Sequence, residues 1–185
     1  MSDQDRAQDS PSDSGAVGGN SLPESLTVVI ATYNRTVLLQ TLDASLFEVV
    51  VVDDASTDDP SSVIADFNAR LNVKYVRQSE NRGLGAARNL GATLARGDVL
   101  VFFDDDDRAH PHFLSEHLAS HRCHPAVFEA VLGHTAWAPE LPISPVMRHV
   151  TEVGKQYLSY PDIVPDVPLD WHYCWGGRSS VKRRL

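Results

Sequence analysis

Four consecutive aspartates, Asp104 to Asp107, are the residues whose type and spacing most directly suggest chemistry in this chain. They follow the apolar run Val99 to Phe103, which predicts a buried strand that ends in a block of carboxylates. Carboxylates this close repel one another and raise each other's pKa, and a hard divalent ion such as Mg²⁺ or Mn²⁺ relieves that repulsion. Such an ion keeps coordination positions for phosphate oxygens. We therefore predict a metal site here, the alternative being a solvated acidic loop.

A second acidic pair, Asp53 and Asp54, follows another apolar run, Val49 to Val52. Continuous apolar runs of this kind are typical of parallel strands that are covered on both faces. Ligands of open α/β sheets bind outside the carboxyl ends of the strands. We therefore expect the two acidic groups to face one crevice.

The elements that must position these carboxylates follow from hydrophobic periodicity and from the glycine and proline positions. The predicted strands are 26–30, 47–52, 73–77 and 99–103, and the predicted helices are 35–46, 58–70, 83–96 and 111–121. This alternation predicts an α/β fold, a doubly wound, mostly parallel sheet with flanking helices. Six prolines from Pro139 to Pro168, both included, predict loops and short pieces there.

Composition and charge limit the partners. A net charge of −9 over 185 residues disfavours a nucleic-acid-binding surface. No apolar stretch reaches membrane-spanning length, no signal pattern begins the chain, and two distant cysteines fit a reducing compartment, so we expect a cytoplasmic protein without a transmembrane segment. Residues 1–22, acidic and rich in Ser and Gly, predict a disordered tail, which leaves 23–185 as one domain.

Four motifs occur in a definite order along the chain. They are Val28 to Arg35, Val51 to Asp58, Asn81 to Asn89, and Gly97-Asp98 leading to Asp104 to Asp107. In this order they resemble the successive motifs of family 2 glycosyltransferases, inverting enzymes of the GT-A fold (Rossmann-like) that use nucleotide-sugar donors. The resemblance implies metal-dependent transfer, with Mg²⁺ or Mn²⁺, from a UDP-, dTDP- or GDP-sugar to an unknown acceptor.

The resemblance also implies roles for individual residues. Asp104 and Asp106 match the metal-binding Asp-x-Asp pair, with Asp106 the firmer ligand and Asp104 nearer the ribose or the metal. Asp54, with Asp53 beside it, would accept a hydrogen bond from the base. Tyr33 would lie against that base, the alternative being an aromatic packed in the core at a strand end.

The remaining implied contacts involve the diphosphate and the acceptor. The implied nucleotide-binding residues are Ala31, Thr32, Tyr33, Asn34, Asp53, Asp54, Arg82, Arg88, Asp104 and Asp105. Arg82 and Arg88 lie near a predicted helix start that favours phosphate, or they pair with structural carboxylates instead. Trp175, Gly176 and Gly177 resemble part of an acceptor-side strand and turn.

An inverting transferase needs a general base to deprotonate the acceptor hydroxyl. In the resembled family this carboxylate follows the Gly-Gly segment, where the present chain ends at Leu185. Asp162, Asp166 and Asp170 are the late aspartates, and none lies in the expected motif. We therefore expect a C-terminally truncated domain, the N-terminal portion of a longer enzyme, which binds the donor but transfers little; a donor-binding fragment without activity is the alternative function.

A phosphoacceptor receiver domain is the rival from another class. It also has an acidic pair, an acceptor aspartate, a threonine and a lysine in order, onto which Asp53-Asp54, Asp104, Thr135 and Lys155 can be laid. A complete strand and helix precede the acidic pair here, whereas a receiver's acidic pair ends its first strand. The four consecutive aspartates also have no place in a receiver.

Three histidines, His117, His121 and His124, fall with Cys123 at near-helical spacing. They raise the possibility of zinc, but no second cluster at metal-ligand spacing accompanies them. A half-exposed helix face is the simpler prediction.

Overall fold

In a computed structural model of the chain, the described residues are 22–33, 47–153, 163–164, 167–170, 173 and 176–183. Residues 1–21 of the predicted tail and the helix predicted over 35–46 lie outside them. So do five residues singled out above, Asn34, Lys155, Asp162, Asp166 and Trp175.

Strands and helices alternate through most of the described part of the chain. The strands are β1 (Leu26–Thr32), β2 (Phe47–Asp53), β3 (Val73–Arg77), β4 (Val99–Asp104), β5 (Ala130–Leu132) and β6 (Ser179–Lys182). The helices are α1 (Ser61–Asn68), α2 (Leu84–Leu94), α3 (Phe113–Cys123) and α4 (Pro145–Arg148), followed by a short π-helical segment, His149–Val153. The three-residue β5 was not predicted. None of these helices is long and apolar enough to cross a membrane.

The six described strands form one sheet in the order β3-β2-β1-β4-β6-β5. β1, β2, β3 and β4 are parallel, whereas β6 is antiparallel to both β4 and β5. This confirms the predicted α/β class with a mostly parallel sheet. β2 and β3 leave β1 on one side and β4 lies on the other, so the strand order reverses between β1 and β4, which is where open sheets bind ligands.

Both faces of the central strands are buried, as their continuous apolar runs predicted. Val28, Val49 and Val101 belong to a cluster against which residues of α1 and α3 pack, and Val50 belongs to a cluster with α2. These four valines are at most 2% exposed. The sheet is therefore a rigid platform whose carboxyl ends are held in register.

The parallel strands extend further than their apolar runs. β2 includes Asp53, which pairs with Thr32 of β1, and β4 includes Asp104, which pairs with Ala31. Backbone pairing does not depend on side-chain polarity, so the strands continue into the acidic residues. The first aspartate of each acidic group is thereby part of the sheet.

Candidate functional site

A cavity of about 340 Å³ opens at the point where the strand order reverses. The end of β1, the residue after β2, the first turn of α2 and the turn after β4 enclose it. Its lining residues are Ala31, Thr32, Tyr33, Asp54, Asn81, Gly83, Leu84, Ala87 and Asp105. Five of these residues were singled out from the sequence, and they come from the first, second and fourth motifs. The other four belong to the third motif.

Asp54 fixes the loop that leads into α2. Its side chain is 5% exposed, and Oδ1 accepts hydrogen bonds from Gln78 Nε2 at 2.7 Å and from the Arg82 backbone N–H at 2.8 Å. Oδ2 accepts the Gly83 backbone N–H at 2.7 Å. A carboxylate can accept about four hydrogen bonds, so Asp54 has acceptor capacity beyond these three.

Gly83 gives the chain the sharp entry into α2. Its φ is +85°, a backbone conformation that side chains with a Cβ rarely adopt. The N–H groups in the first turn of a helix have no partner within the helix and favour anions. Since Gly83, Leu84 and Ala87 all line the cavity, this turn faces the cavity with its positive end.

Tyr33 lies at the mouth of the cavity and is 48% exposed. The alternative that this aromatic packs in the core is therefore wrong. Its neighbours Ala31 and Thr32 line the same side of the cavity.

Asp53 points away from this cavity and holds the loop after β2. The side chain is 0% exposed, Oδ1 accepts the Ser56 N–H at 2.8 Å, and Oδ2 accepts the Tyr75 hydroxyl and lies 3.8 Å from Arg77 Nε. Burial raises the pKa of Asp53, but the hydrogen bonds from Ser56 and Tyr75 and the charge of Arg77 outweigh it and hold that pKa below its ordinary value. Burial and the bond to Asp53 raise the pKa of Tyr75. The observed contacts of Asp53 are structural.

The two arginines have different environments. Arg88, on α2, forms an ion pair with Asp104, with 2.7 Å between Nη2 and Oδ1, and both side chains are partly buried. Arg82 is exposed and lies 3.3 Å from Glu80. Arg88 therefore joins α2 to one of the two aspartates predicted to hold a metal.

The acidic turn offers hard oxygen donors. Asp105 and Asp106 occupy the turn after Asp104, and the Asp107 N–H donates to the Asp104 carbonyl at 3.3 Å. Burial raises the pKa of Asp107, and the negative charges of Asp104 and Asp106 add to the rise while Arg178 opposes it. A divalent cation would relieve this repulsion, so the donor set fits Mg²⁺ or Mn²⁺. Within the described ranges, no three or more His, Cys, Asp or Glu side chains are grouped closely enough to hold a metal ion without ligands from elsewhere.

On the predicted acceptor side, Gly176 lies against Arg88 and Gly177 against Asp104. Asp170 is exposed and is not among the residues that line the cavity.

Gln78, Asn81, Gly83, Leu84 and Ala87 were not singled out as site residues from the sequence. The last four belong to the third motif, which could have indicated them. Gln78 lies outside every motif, and only its 2.7 Å bond to Asp54 reveals its part in the site.

The histidine prediction is wrong for two of the three residues. His117 and His121 are only 2% and 0% exposed, because β6 covers this face of α3. Ser180 Oγ lies 2.7 Å from His117 Nδ1 and 2.8 Å from His121 Nε2, and Lys182 Nζ donates to His121 Nδ1 at 3.3 Å. Burial is the main cause that lowers the pKa of both histidines to about 4. His124 is exposed, as predicted.

The family model described as Glycosyl transferase family 2 matches residues 27–184, which includes every residue of the cavity. The chain belongs to glycosyl transferase family 2. Glycosyl transferase family 2 and receiver domains are different families, so the receiver-domain alternative is wrong.

Several relatives of this family 2 chain have assigned activities. It is 42% identical over 118 residues to validoxylamine A glucosyltransferase of Streptomyces hygroscopicus subsp. jinggangensis, a match to 58% of this chain and 28% of that protein. It is 35% identical over 151 residues to human polypeptide N-acetylgalactosaminyltransferase 15, which covers 77% of this chain and 21% of the relative. The chain thus spans about a quarter of the length of these relatives.

Solved structures share the GT-A fold with this family 2 chain. Residues 1–349 of S. aureus TarS in complex with UDP-GlcNAc superpose with a TM-score of 0.56 at 27% identity, covering 65% of this chain and 37% of that one. The Pyrobaculum calidifontis mannosyltransferase PcManGT, in complex with GDP-Man and Mn²⁺, has a TM-score of 0.50 at 29% identity, with 60% and 35% covered.

Proposed function

We propose that this chain forms the donor-binding part of a metal-dependent, inverting glycosyltransferase that uses a nucleoside diphosphate sugar. The observation that carries the proposal is the cavity between β1 and β4, with Asp54 and Tyr33 on one side and the acidic turn of β4 on the other. A base needs an aromatic surface and a directed hydrogen-bond acceptor, whereas a diphosphate needs positive charge. Tyr33 and Asp54 meet the first need, and the first turn of α2 together with a cation at the acidic turn would meet the second.

The base would occupy the side of Tyr33 and Asp54. The half-exposed Tyr33 ring supplies a surface for stacking, and the buried Asp54 carboxylate supplies an acceptor for a base N–H. Because three hydrogen bonds from Gln78, Arg82 and Gly83 fix that carboxylate, its orientation is set before a ligand arrives.

The diphosphate would lie between the first turn of α2 and the acidic turn. The α2 backbone N–H groups favour the phosphate oxygens, and Arg88 holds Asp104 beside them. Asp106, exposed in the turn, and Asp104 would hold a Mg²⁺ or Mn²⁺ ion, which when bound neutralises charge on the departing nucleoside diphosphate. Arg82, Arg88 and Asp105 are the further residues of this side that we assign to the donor.

The solved relatives support a nucleotide-sugar donor without fixing its base. TarS was solved with UDP-GlcNAc and with UDP, and PcManGT with GDP-Man and Mn²⁺. We infer a donor of the same class for this chain. A cytoplasmic location stays a prediction from the sequence.

In the proposed reaction the acceptor hydroxyl attacks the anomeric carbon, a base takes its proton, and the nucleoside diphosphate leaves with inversion at that carbon. Inversion is implied by the family resemblance. We assign the base to no described residue, since Asp170 is exposed and outside the cavity lining. Asp162 and Asp166 stay predictions. Gly176 and Gly177 are proposed to lie on the acceptor side, together with Trp175.

A thermal-shift panel tests the donor proposal. Uridine, thymidine, guanosine and adenosine diphosphates would each be added with Mn²⁺, with Mg²⁺ and with chelator, since a ligand that binds only the folded state raises the melting temperature. We expect a selective rise for one base that requires the metal. Equal melting temperatures with and without every diphosphate would refute donor binding.

Stereochemistry and transfer need a separate experiment. The chain would be incubated with the selected nucleotide sugar and a broad acceptor panel, and the anomeric configuration of any product read by NMR. A product with the donor's configuration retained would refute inversion. Donor hydrolysis without a glycosylated product would favour a donor-binding role for these residues.

A further inference from the structure

Two consecutive glycines before β6 lie directly against the Arg88–Asp104 ion pair. A Cβ added to Gly177 would lie 1.8 Å from Asp104 Oδ2 and 2.6 Å from Oδ1. A Cβ added to Gly176 would lie 2.5 Å from Arg88 Nη1. Neither glycine has a positive φ, so space rather than backbone conformation requires glycine here.

The strand register explains this close approach. β4 and β6 are antiparallel and pair Val99 with Lys182 and Val101 with Ser180. Gly177 lies in the turn that leads into β6, two residues before that strand begins at Ser179. Three residues beyond the Val101–Ser180 pair in both segments, this turn meets the side chain of Asp104, the last residue of β4. The pairing of β6 with β4 therefore carries the turn up to Asp104.

The two glycines differ in how easily an added methyl group could be accommodated. Arg88 meets Gly176 with the far end of a long side chain, and Gly176 is exposed, so a methyl group there can be accommodated. Asp104 has a short side chain at the end of a paired strand, and Gly177 is buried. A methyl group at Gly177 must rotate the Asp104 carboxylate, and that rotation breaks the 2.7 Å bond to Arg88.

We propose that Gly177 is a positioning residue for the donor site: by leaving space for the Asp104 carboxylate, it holds that group on Arg88 and at the acidic turn. The proposal rests on the proposed function of Asp104 as a donor-side carboxylate. Gly177 belongs to the segment on the predicted acceptor side, which is joined to β6. The donor site is therefore complete only when β6 is paired with β4.

The test compares Gly177→Ala with Gly85→Ala by calorimetry, titrating uridine, thymidine and guanosine diphosphates, each with Mn²⁺. Gly85 is exposed on α2, lies outside the cavity lining, and an added Cβ there would meet nothing within 4 Å. We expect Gly177→Ala to weaken the binding of the preferred diphosphate by about tenfold or more, as the loss of a charged contact does. Gly85→Ala should stay within about twofold of the wild type. Equal affinity of the wild type and Gly177→Ala would overturn the inference, whereas a wild type that binds none of the diphosphates would overturn the proposed function.

Two further measurements, made without a nucleotide, test whether Gly177 positions the Asp104 carboxylate. In a crystal structure of Gly177→Ala, the Arg88 Nη2 to Asp104 Oδ1 distance should exceed about 4 Å, the usual limit of an ion pair. If Gly177→Ala folds poorly, the double variant Gly177→Ala/Asp104→Ala should melt at a higher temperature than Gly177→Ala, since removal of the carboxylate removes the overlap. An unchanged 2.7 Å distance, or a double variant that melts no higher, would overturn the inference.

Discussion

Asp54 Oδ2 accepts a 2.7 Å hydrogen bond from the Gly83 backbone N–H, so a carboxylate after β2 fixes the entry of α2. The two residues are neighbours in the cavity lining although a helix and a strand separate them in sequence. The proposed base side and the proposed phosphate side of the cavity are thereby coupled through one hydrogen bond. A change at either residue should affect both sides.

Asp54→Ala should lower affinity for the preferred nucleoside diphosphate and reduce discrimination among uridine, thymidine, guanosine and adenosine diphosphates. A buried acceptor matched to a base N–H rejects bases that cannot supply that donor. Calorimetry with the four diphosphates measures both effects. Gln78→Ala is the control, since it removes one bond to the Asp54 carboxylate but leaves the acceptor in place. An Asp54→Ala variant that kept the wild-type base preference would contradict the assignment.

Gly83→Ala should destabilise the fold by about 1 to 3 kcal/mol, because alanine is strained at a φ of +85°. The nearby Gly85→Ala is a matched control: Gly85 lies exposed within α2 and its Cβ would meet nothing within 4 Å. Since alanine favours a helix over glycine, this variant should gain about 0.5 to 1 kcal/mol. Urea unfolding measures both, and two shifts of the same sign would contradict the prediction.

Asp106→Asn should weaken metal-dependent binding of the preferred diphosphate by about tenfold or more while leaving the melting temperature of the apo protein nearly unchanged. The change removes a charged oxygen donor at an exposed position in the turn. Calorimetry with Mn²⁺ and with chelator provides the measurement. Asp66→Asn, at an exposed position of α1, controls for the loss of one negative charge. Equal binding by Asp106→Asn, or by the wild type in chelator, would rule out a metal at this residue.

Stability should fall as the pH drops from about 6.5 towards 4. The pKa values of His117 and His121 are about 4 in the fold, below the ordinary 6.5, mainly through burial and then through His121 and Lys182, respectively. The unfolded chain therefore binds protons in this range that the folded chain does not. The contribution of the two uncharged histidines to the free energy of unfolding is fully present above pH 6.5. Below that pH, each histidine lowers the free energy of unfolding by up to about 1.4 kcal/mol per pH unit.

Urea unfolding at pH 7 and pH 5 measures this dependence. His117→Asn removes one of the two buried titrating groups and should make the loss of stability between these pH values smaller. His110→Asn, at an exposed position, should leave the loss unchanged. The groups around the pair include Ser180, which bonds both rings, and Lys182, whose own pKa is lowered by burial. Equal pH dependence in His117→Asn and the wild type would contradict the prediction.

The strands and helices of the described region could be predicted because their signals are local. The apolar runs that end in Asp53 and in Asp104 predict buried parallel strands, Gly83 directly precedes α2, and Gly97 follows the last residue of α2 by three positions. The ordered motifs implied the family, and the family model bears that out. The strand β5 was missed because three residues, none of them buried, carry too little periodicity to stand out.

The contacts of the site were decided only by the tertiary structure, because they join residues far apart in sequence. The sequence by itself placed carboxylates at the ends of β2 and β4, since strand periodicity and breakers act over a few residues. In the folded chain Asp53 bonds Ser56 and Tyr75, Asp54 lines the cavity, and the turn before β6 brings Gly177 against Asp104. The same strand buried His117 and His121, whose helical spacing alone could not tell a covered face from an exposed one, since burial depends on the partner that packs against it.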